Sequence, residues 1–169
     1  MVERDSKMKV TLPSDREIVL TRVFNAPRAL VFEAYTQPEH VRNWWGPRNS
    51  TKVHFEAEVR PGGNWRYVIL SGDGDEVPFT GVYQEVTPPD RLVYTEIYDV
   101  APFNAGDPAL NTVTFTEEAG KTVVIVTTVY PTKEVRDFVL STGMEGGAAE
   151  SYDRLEELVI DLAKDKPAS

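Results

Sequence analysis

The chain has 169 residues, 41% of them hydrophobic and 27% charged, which fits a single globular domain with its own core. With 18 basic against 27 acidic residues the formal net charge is −9, and no basic cluster longer than a dipeptide interrupts it, so a nucleic-acid partner is not expected. Cysteine is absent, which excludes disulfides, thiolate metal sites and cysteine nucleophiles together.

Residues 1–15 are polar and predict a loose arm. The opening has no apolar stretch of a secretory signal, and no apolar run approaches the ~20 residues that span a bilayer. The expectations are a cytoplasmic location and no membrane insertion. "REIVLTRVF" (16–24) is rich in β-branched residues and predicts a strand. In "NAPRALVFEAYT", Asn25 is placed to cap a helix and Pro27 to sit in its first turn, with Leu30, Val31, Ala34 and Tyr35 at helical spacing. Pro38 opens a second short helix, "PEHVRNWW", which Gly46 and Pro47 stop.

Strands and turns then take over. "TKVHFEAEV" (51–59) ends at Pro61-Gly62-Gly63, "NWRYVIL" (64–70) at the hairpin cluster "SGDGD", and "VPFTGVYQEV" (77–86) at Pro88-Pro89-Asp90. "RLVYTEIYDV" (91–100) and a looser "APFNAGDPA" follow. "LNTVTFTEE" and "KTVVIVTTVY" flank a tight Ala119-Gly120 turn. Six consecutive strands joined this closely must pair antiparallel, and one face of the sheet needs cover.

The C-terminus supplies it. Met144, Ala148, Ser151, Leu155, Leu158, Val159 and Leu162 fall on one helical face. The preceding "KEVRDFVL" carries its own stripe, out of phase with the later one, so two helices or one bent helix are expected. The predicted fold class is α+β: a curved seven-stranded antiparallel sheet around a long C-terminal helix, with two short helices between strands 1 and 2. One domain runs from residue 16 to 164, and 165–169 form a tail.

Four motifs carry a family resemblance: "FNAPRALVFEAYTQPEHVRNWWGP", "RPGGNWRYVI", "GVYQEVTPPDRLVYTE" and "GMEGGAAESYDRLEEL". Over roughly residues 16–163 the chain resembles the START-like (SRPBCC) superfamily, the helix-grip fold. Within it the chain is most similar to the branch of the C-terminal domain of the activator of heat-shock-protein ATPase. The resemblance implies a cavity between sheet and helix, and it brings no shared catalytic motif.

Strand alternation indicates what would line such a cavity. Trp65 and Tyr67 share a face of one strand, Phe79 and Tyr83 of the next, Tyr94, Glu96 and Tyr98 of the third, with Phe115 beyond. Met144, Ala148 and Ser151 face them from the long helix. Small residues opposite large rings leave either close packing or a ring-lined void. Tyr67, Tyr83, Tyr94, Tyr98 and Tyr152 offer polar handles, since a buried phenol takes a partner. Glu96 is the lone carboxylate among the aromatics: facing inward, it would titrate high and serve as a hydrogen-bond anchor or acid–base group, whereas a bulge would turn it to solvent.

His40 and His54 lie on different elements without metal-ligand spacing, and His40 is expected to be exposed. No phosphate loop, dinucleotide fingerprint or nucleophile elbow occurs, and "DGDEV" lacks the ligand pattern of a calcium loop. Neither metal nor cofactor is expected. Adjacent helical tryptophans diverge by about 100°, and the family pattern assigns Trp44 to the packing and Trp45 to the cavity mouth.

These readings converge on a binder of a small hydrophobic or aromatic molecule, with Trp45 and the residues above as its site. A cyclase- or aromatase-like enzyme using the same cavity and a co-chaperone-type interaction module are the alternatives. A chaperone partner is not expected. A homodimer through the sheet edges is compatible with the sequence.

Overall fold

A computed structural model of the chain describes residues 8–46 and 51–165. One antiparallel sheet holds eight strands in the order β1-β2-β8-β7-β6-β5-β4-β3. They are β1 (Lys9–Thr11), β2 (Glu17–Phe24), β3 (Thr51–Ala57), β4 (Asn64–Leu70), β5 (Glu76–Thr87), β6 (Arg91–Tyr98), β7 (Ala109–Glu118) and β8 (Lys121–Val129). The strands β3 to β8 form the expected meander. Between β2 and β3 the chain crosses from one side of the sheet to the other through α1 (Arg28–Thr36) and α2 (Pro38–Val41). After β8 come α3 (Lys133–Ser141) and the long α4 (Met144–Asp165).

The eighth strand is the departure from expectation. Lys9–Thr11 pairs with Thr21–Val19 on the edge of β2 instead of forming a loose arm. Three residues are too few to carry a two-residue period, so nothing in the sequence marked them. Residues 1–7 of that arm lie outside the described residues.

Local chemistry explains the helix boundaries. Gln37 is extended because Pro38 follows it, and this ends α1. Asn25 does not cap that helix: Pro27 holds the cap position without a side-chain bond, and Asn25 donates from its amide and backbone to Glu156 on α4. The second helix stops at Val41, so Trp44 and Trp45 sit in the turns after it, not on a helix as predicted. At the start of α3, Thr132 accepts from Val135 N–H through its side chain. Gly143, at φ +81°, separates α3 from α4 in the left-handed conformation that closes many helices.

The core lies where α1 and α4 meet the inner face of the sheet. The pattern of β2 alternates strictly, with Ile18, Leu20, Arg22 and Phe24 buried. Leu155 and Val159 of α4 are fully buried beside them, with Val31 of α1 and Val113 and Val124 of β7 and β8. The closest backbone approaches of α4 are to α1, α3 and β2. Its backbone therefore packs nearest the β2 end of the sheet.

Candidate functional site

Register brings the aromatic positions together. Across β3 to β6, Phe55, Tyr67, Phe79 and Tyr98 are successive cross-strand partners. Tyr83, Tyr94, Asn111 and Thr128 form a second such row across β5 to β8. Trp65 sits between the rows opposite Gly81, and Glu96 pairs with Ala109. Trp65, Tyr67, Phe79, Tyr83, Tyr94, Glu96 and Tyr98 thus share the inner face, and no bulge interrupts the β6–β7 ladder at Glu96.

The two tryptophans after α2 part company. Trp44 is 3% exposed and donates its indole N–H to the carbonyl of Ala34. Trp45 is half-buried and meets Phe55, Tyr67 and Phe79 edge-on at 5.9, 5.4 and 5.2 Å between ring centres. From Trp45 the rings run on through Phe79, Tyr98 and Phe103 to Phe138 of α3, each pair 5.2 to 5.4 Å apart. Pro47, predicted to fix this turn together with Gly46, lies outside the described residues.

Other predicted residues are placed differently. Phe115 is buried under α1 against Phe32 and Tyr35, deep in the core and apart from the Trp65 cluster. Met144 and Ala148 are half-buried against the core. The hydroxyl of Ser151 is committed to the carbonyl of Gly46, 3.1 Å away, and Arg154 donates to the same oxygen. These two side chains pin the tryptophan turn to α4. His40, expected to be exposed, is partly covered and lies 3.3 Å from Glu33.

Two facts about the same residues describe a hollow. Burial takes Glu96 and Tyr94 out of bulk water and raises the pKa of both. Yet each keeps a share of its own accessible surface, as does Tyr35. Groups set among packed side chains that still keep accessible surface line a concavity.

The polar lining of this space is specific. Asn111 donates to Oε1 of Glu96 at 2.9 Å, and Thr128 donates to Oδ1 of Asn111 at 2.6 Å. Thr128 thereby fixes which end of the Asn111 amide meets the carboxyl. Burial lifts the Glu96 carboxyl above its ordinary 4.5, and the Asn111 bond only partly opposes that. Tyr35 and Tyr152 share a hydrogen bond at 2.8 Å, and Tyr67 bonds Tyr83. Desolvation pushes Tyr83 and Tyr152 up to about 12. At the tryptophan turn, Lys52 donates to the carbonyl of Trp45 and is pushed down to about 8 by burial and by Arg154 beside it.

Asn111, Thr128, Tyr35 and Lys52 were not anticipated. Asn111 is in phase with Val113 and Phe115, so alternation carried its signal. Lys52 faces inward because of a register shift between Lys52 and His54, which alternation alone does not reveal. On the opposite, convex face a depression of about 550 Å³ runs past Glu58, Arg66 and Val82, but it lies open to solvent and lacks the enclosure of a ligand site.

The family described as activator of Hsp90 ATPase homolog 1-like protein matches residues 25–159. Among solved structures, a protein from Rhodobacter sphaeroides is 24% identical, the match covering 92% of this chain and 99% of that one with a TM-score of 0.83. One from Nitrosomonas europaea is 22% identical over 92% and 100% of the two chains, at a TM-score of 0.79. One from Staphylococcus epidermidis is 26% identical over 96% and 98%, at 0.76. These likenesses attest the helix-grip fold. No curated protein matches significantly. Among the described residues no helix is long and apolar enough to cross a membrane.

Proposed function

The chain belongs to the activator of Hsp90 ATPase homolog 1-like family, and from that premise we propose that it binds a small hydrophobic or aromatic molecule in the hollow between sheet and α4. One observation carries the reading: Tyr94 and Glu96 are desolvated without being covered. A space lined mainly by rings, with a few convergent polar groups, is what a small-molecule site requires. Trp45, Phe79 and Tyr98 keep accessible surface and supply the apolar lining, with Trp65, Tyr67 and Tyr83 packed behind them, and Glu96 with Asn111 supplies an oriented polar end. Among the described residues Glu96 is the one carboxyl there, with phenols held neutral around it, and that supports binding over acid–base catalysis.

Native mass spectrometry of freshly purified protein, with a thermal-shift screen of lipids and aromatic molecules, tests the reading. A co-purifying small molecule, or a stabiliser whose effect is lost in Trp65→Ala, is the expected result. A clean apo mass together with no stabiliser across the screen overturns it.

A further inference from the structure

The chemical class of the guest follows from the surroundings of Glu96, on the premise that the hollow is a binding site. Among the described residues only one oxygen of that carboxyl takes a hydrogen bond, from Asn111, while the other makes none and is not occluded. The groups that face it are Tyr94 on its own strand, Tyr130 after β8, Tyr35 on α1 and Tyr152 on α4. All four are phenols raised by burial, so they are neutral at ordinary pH. No cation among the described residues contributes to holding the carboxyl ionised. Arg22 is near Tyr152, but its guanidinium is bonded outward to Asp153 at 2.8 Å.

A desolvated carboxyl without a countercharge must either keep a proton or receive a cation from outside. Everything else lining the hollow suits the second outcome. Indole and phenol rings attract a cation to their faces, Trp most strongly. Trp65 stands 4.9 Å from Tyr67 and, edge to face, 5.8 Å from Tyr94 between ring centres, so the ring cluster reaches the strand that carries Glu96. A net charge of −9 draws cations toward the protein and repels carboxylates. Asn111, held by Thr128, points a donor at one oxygen of Glu96 and leaves the other turned toward a guest.

We propose that the guest is a small organic cation, an arylalkylammonium whose charged head sits against Glu96 and whose apolar part lies along the ring cluster that includes Trp65, Tyr67 and Tyr94. A neutral apolar molecule of the same size would dry the carboxyl further and give it nothing in return.

Two probes of nearly equal size separate the cases: 2-phenylethylamine, protonated at pH 7.5, and 2-phenylethanol. Calorimetric titration of the full chain is expected to show the ammonium bound at least tenfold more tightly. In Glu96→Gln that preference is expected to vanish as the ammonium's affinity falls, with an unaltered circular-dichroism spectrum showing that the variant is folded. Equal or tighter binding of the alcohol by the unaltered protein overturns the inference, as does an ammonium preference that survives in Glu96→Gln.

Should that variant not fold, the unaltered protein still decides. Ammonium affinity is expected to fall as pH drops through the titration of Glu96 while the alcohol's holds, and a flat or parallel response overturns the inference. If neither probe binds but neutral apolar molecules do, the cation class is wrong and the binding site stands. If nothing binds at all, the reading of the hollow itself fails.

Discussion

Trp65 reaches across β5 and donates its indole N–H to the carbonyl of Thr95 on β6, 3.1 Å away, over the bare backbone of Gly81. A Cβ at Gly81 would overlap both the Thr95 carbonyl oxygen and Trp65 Nε1. The neighbouring ladder bond is already diverted, because Val82 N–H donates to the Thr95 hydroxyl at 2.9 Å. Gly81→Ala is therefore expected to cost about 3 kcal/mol in urea unfolding, the upper end for overpacking, since backbone has to give way. Trp65→Phe, which removes only the N–H and part of the ring, should cost less. A Gly81→Ala protein as stable as the parent would show that the sheet here is softer than drawn.

The adjacent tryptophans should separate cleanly under mutation. Trp44→Ala removes a ring that is 3% exposed and packed on Tyr35 and Tyr152, and a loss of about 3–5 kcal/mol is expected. Trp45→Ala empties a half-buried position beside the hollow and should cost clearly less stability. Denaturant midpoints of the two variants check the order, and equal losses would refute it.

Glu96 makes stability depend on pH. Its folded pKa is raised, so the protonated form is favoured on folding. That contribution is fully present below the ordinary carboxylate value and is lost as pH rises through the folded value. Glu96→Gln cannot ionise and escapes the loss. Melting curves are expected to show the variant gaining on the unaltered protein between pH 4 and neutrality, with the two converging in acid. A constant offset across that range would place the carboxyl in water.

Arg22 of β2 is buried at 5% exposure, and its partner Asp153 of α4 is 59% exposed. Asp153→Ala leaves a covered guanidinium without its counterion, and its Nε already lacks a protein partner among the described residues. The expected cost is about 2 kcal/mol, less than for a wholly buried pair because one end is wet. Adding Arg22→Met should restore much of it, since an apolar chain suits that position. Chemical denaturation of the single and double variants checks the sign.

What the sequence disclosed, it disclosed through period. The meander from β3 to β8 and the faces of Trp65, Tyr67, Tyr94 and Glu96 follow from two-residue alternation bounded by glycine and proline turns. The stripe from Ser151 to Val159 follows from helical spacing. The losses have equally physical causes. Lys9–Thr11 is too short to show a period. Asn25 reads as a cap, but Glu156 of α4 competes for its donors through a contact that local sequence cannot express. Lys52 turns inward at a register irregularity. Ser151 stands on the expected face, yet its hydroxyl is taken by Gly46, a partner from the distant tryptophan turn.

The row of rings from Trp45 to Phe138 bears on time more than on affinity. Phe103 and Phe138 stack 5.3 Å apart, and both remain about half exposed. They join the loop after β6 to α3 beyond the strand ends. If the proposed guest enters past this row, it has to part at least one ring pair, each worth roughly 0.5–1.5 kcal/mol beyond the area it buries. Its dwell time is then set at the periphery: shortening Phe103 would hasten both entrance and escape while leaving untouched every contact made inside.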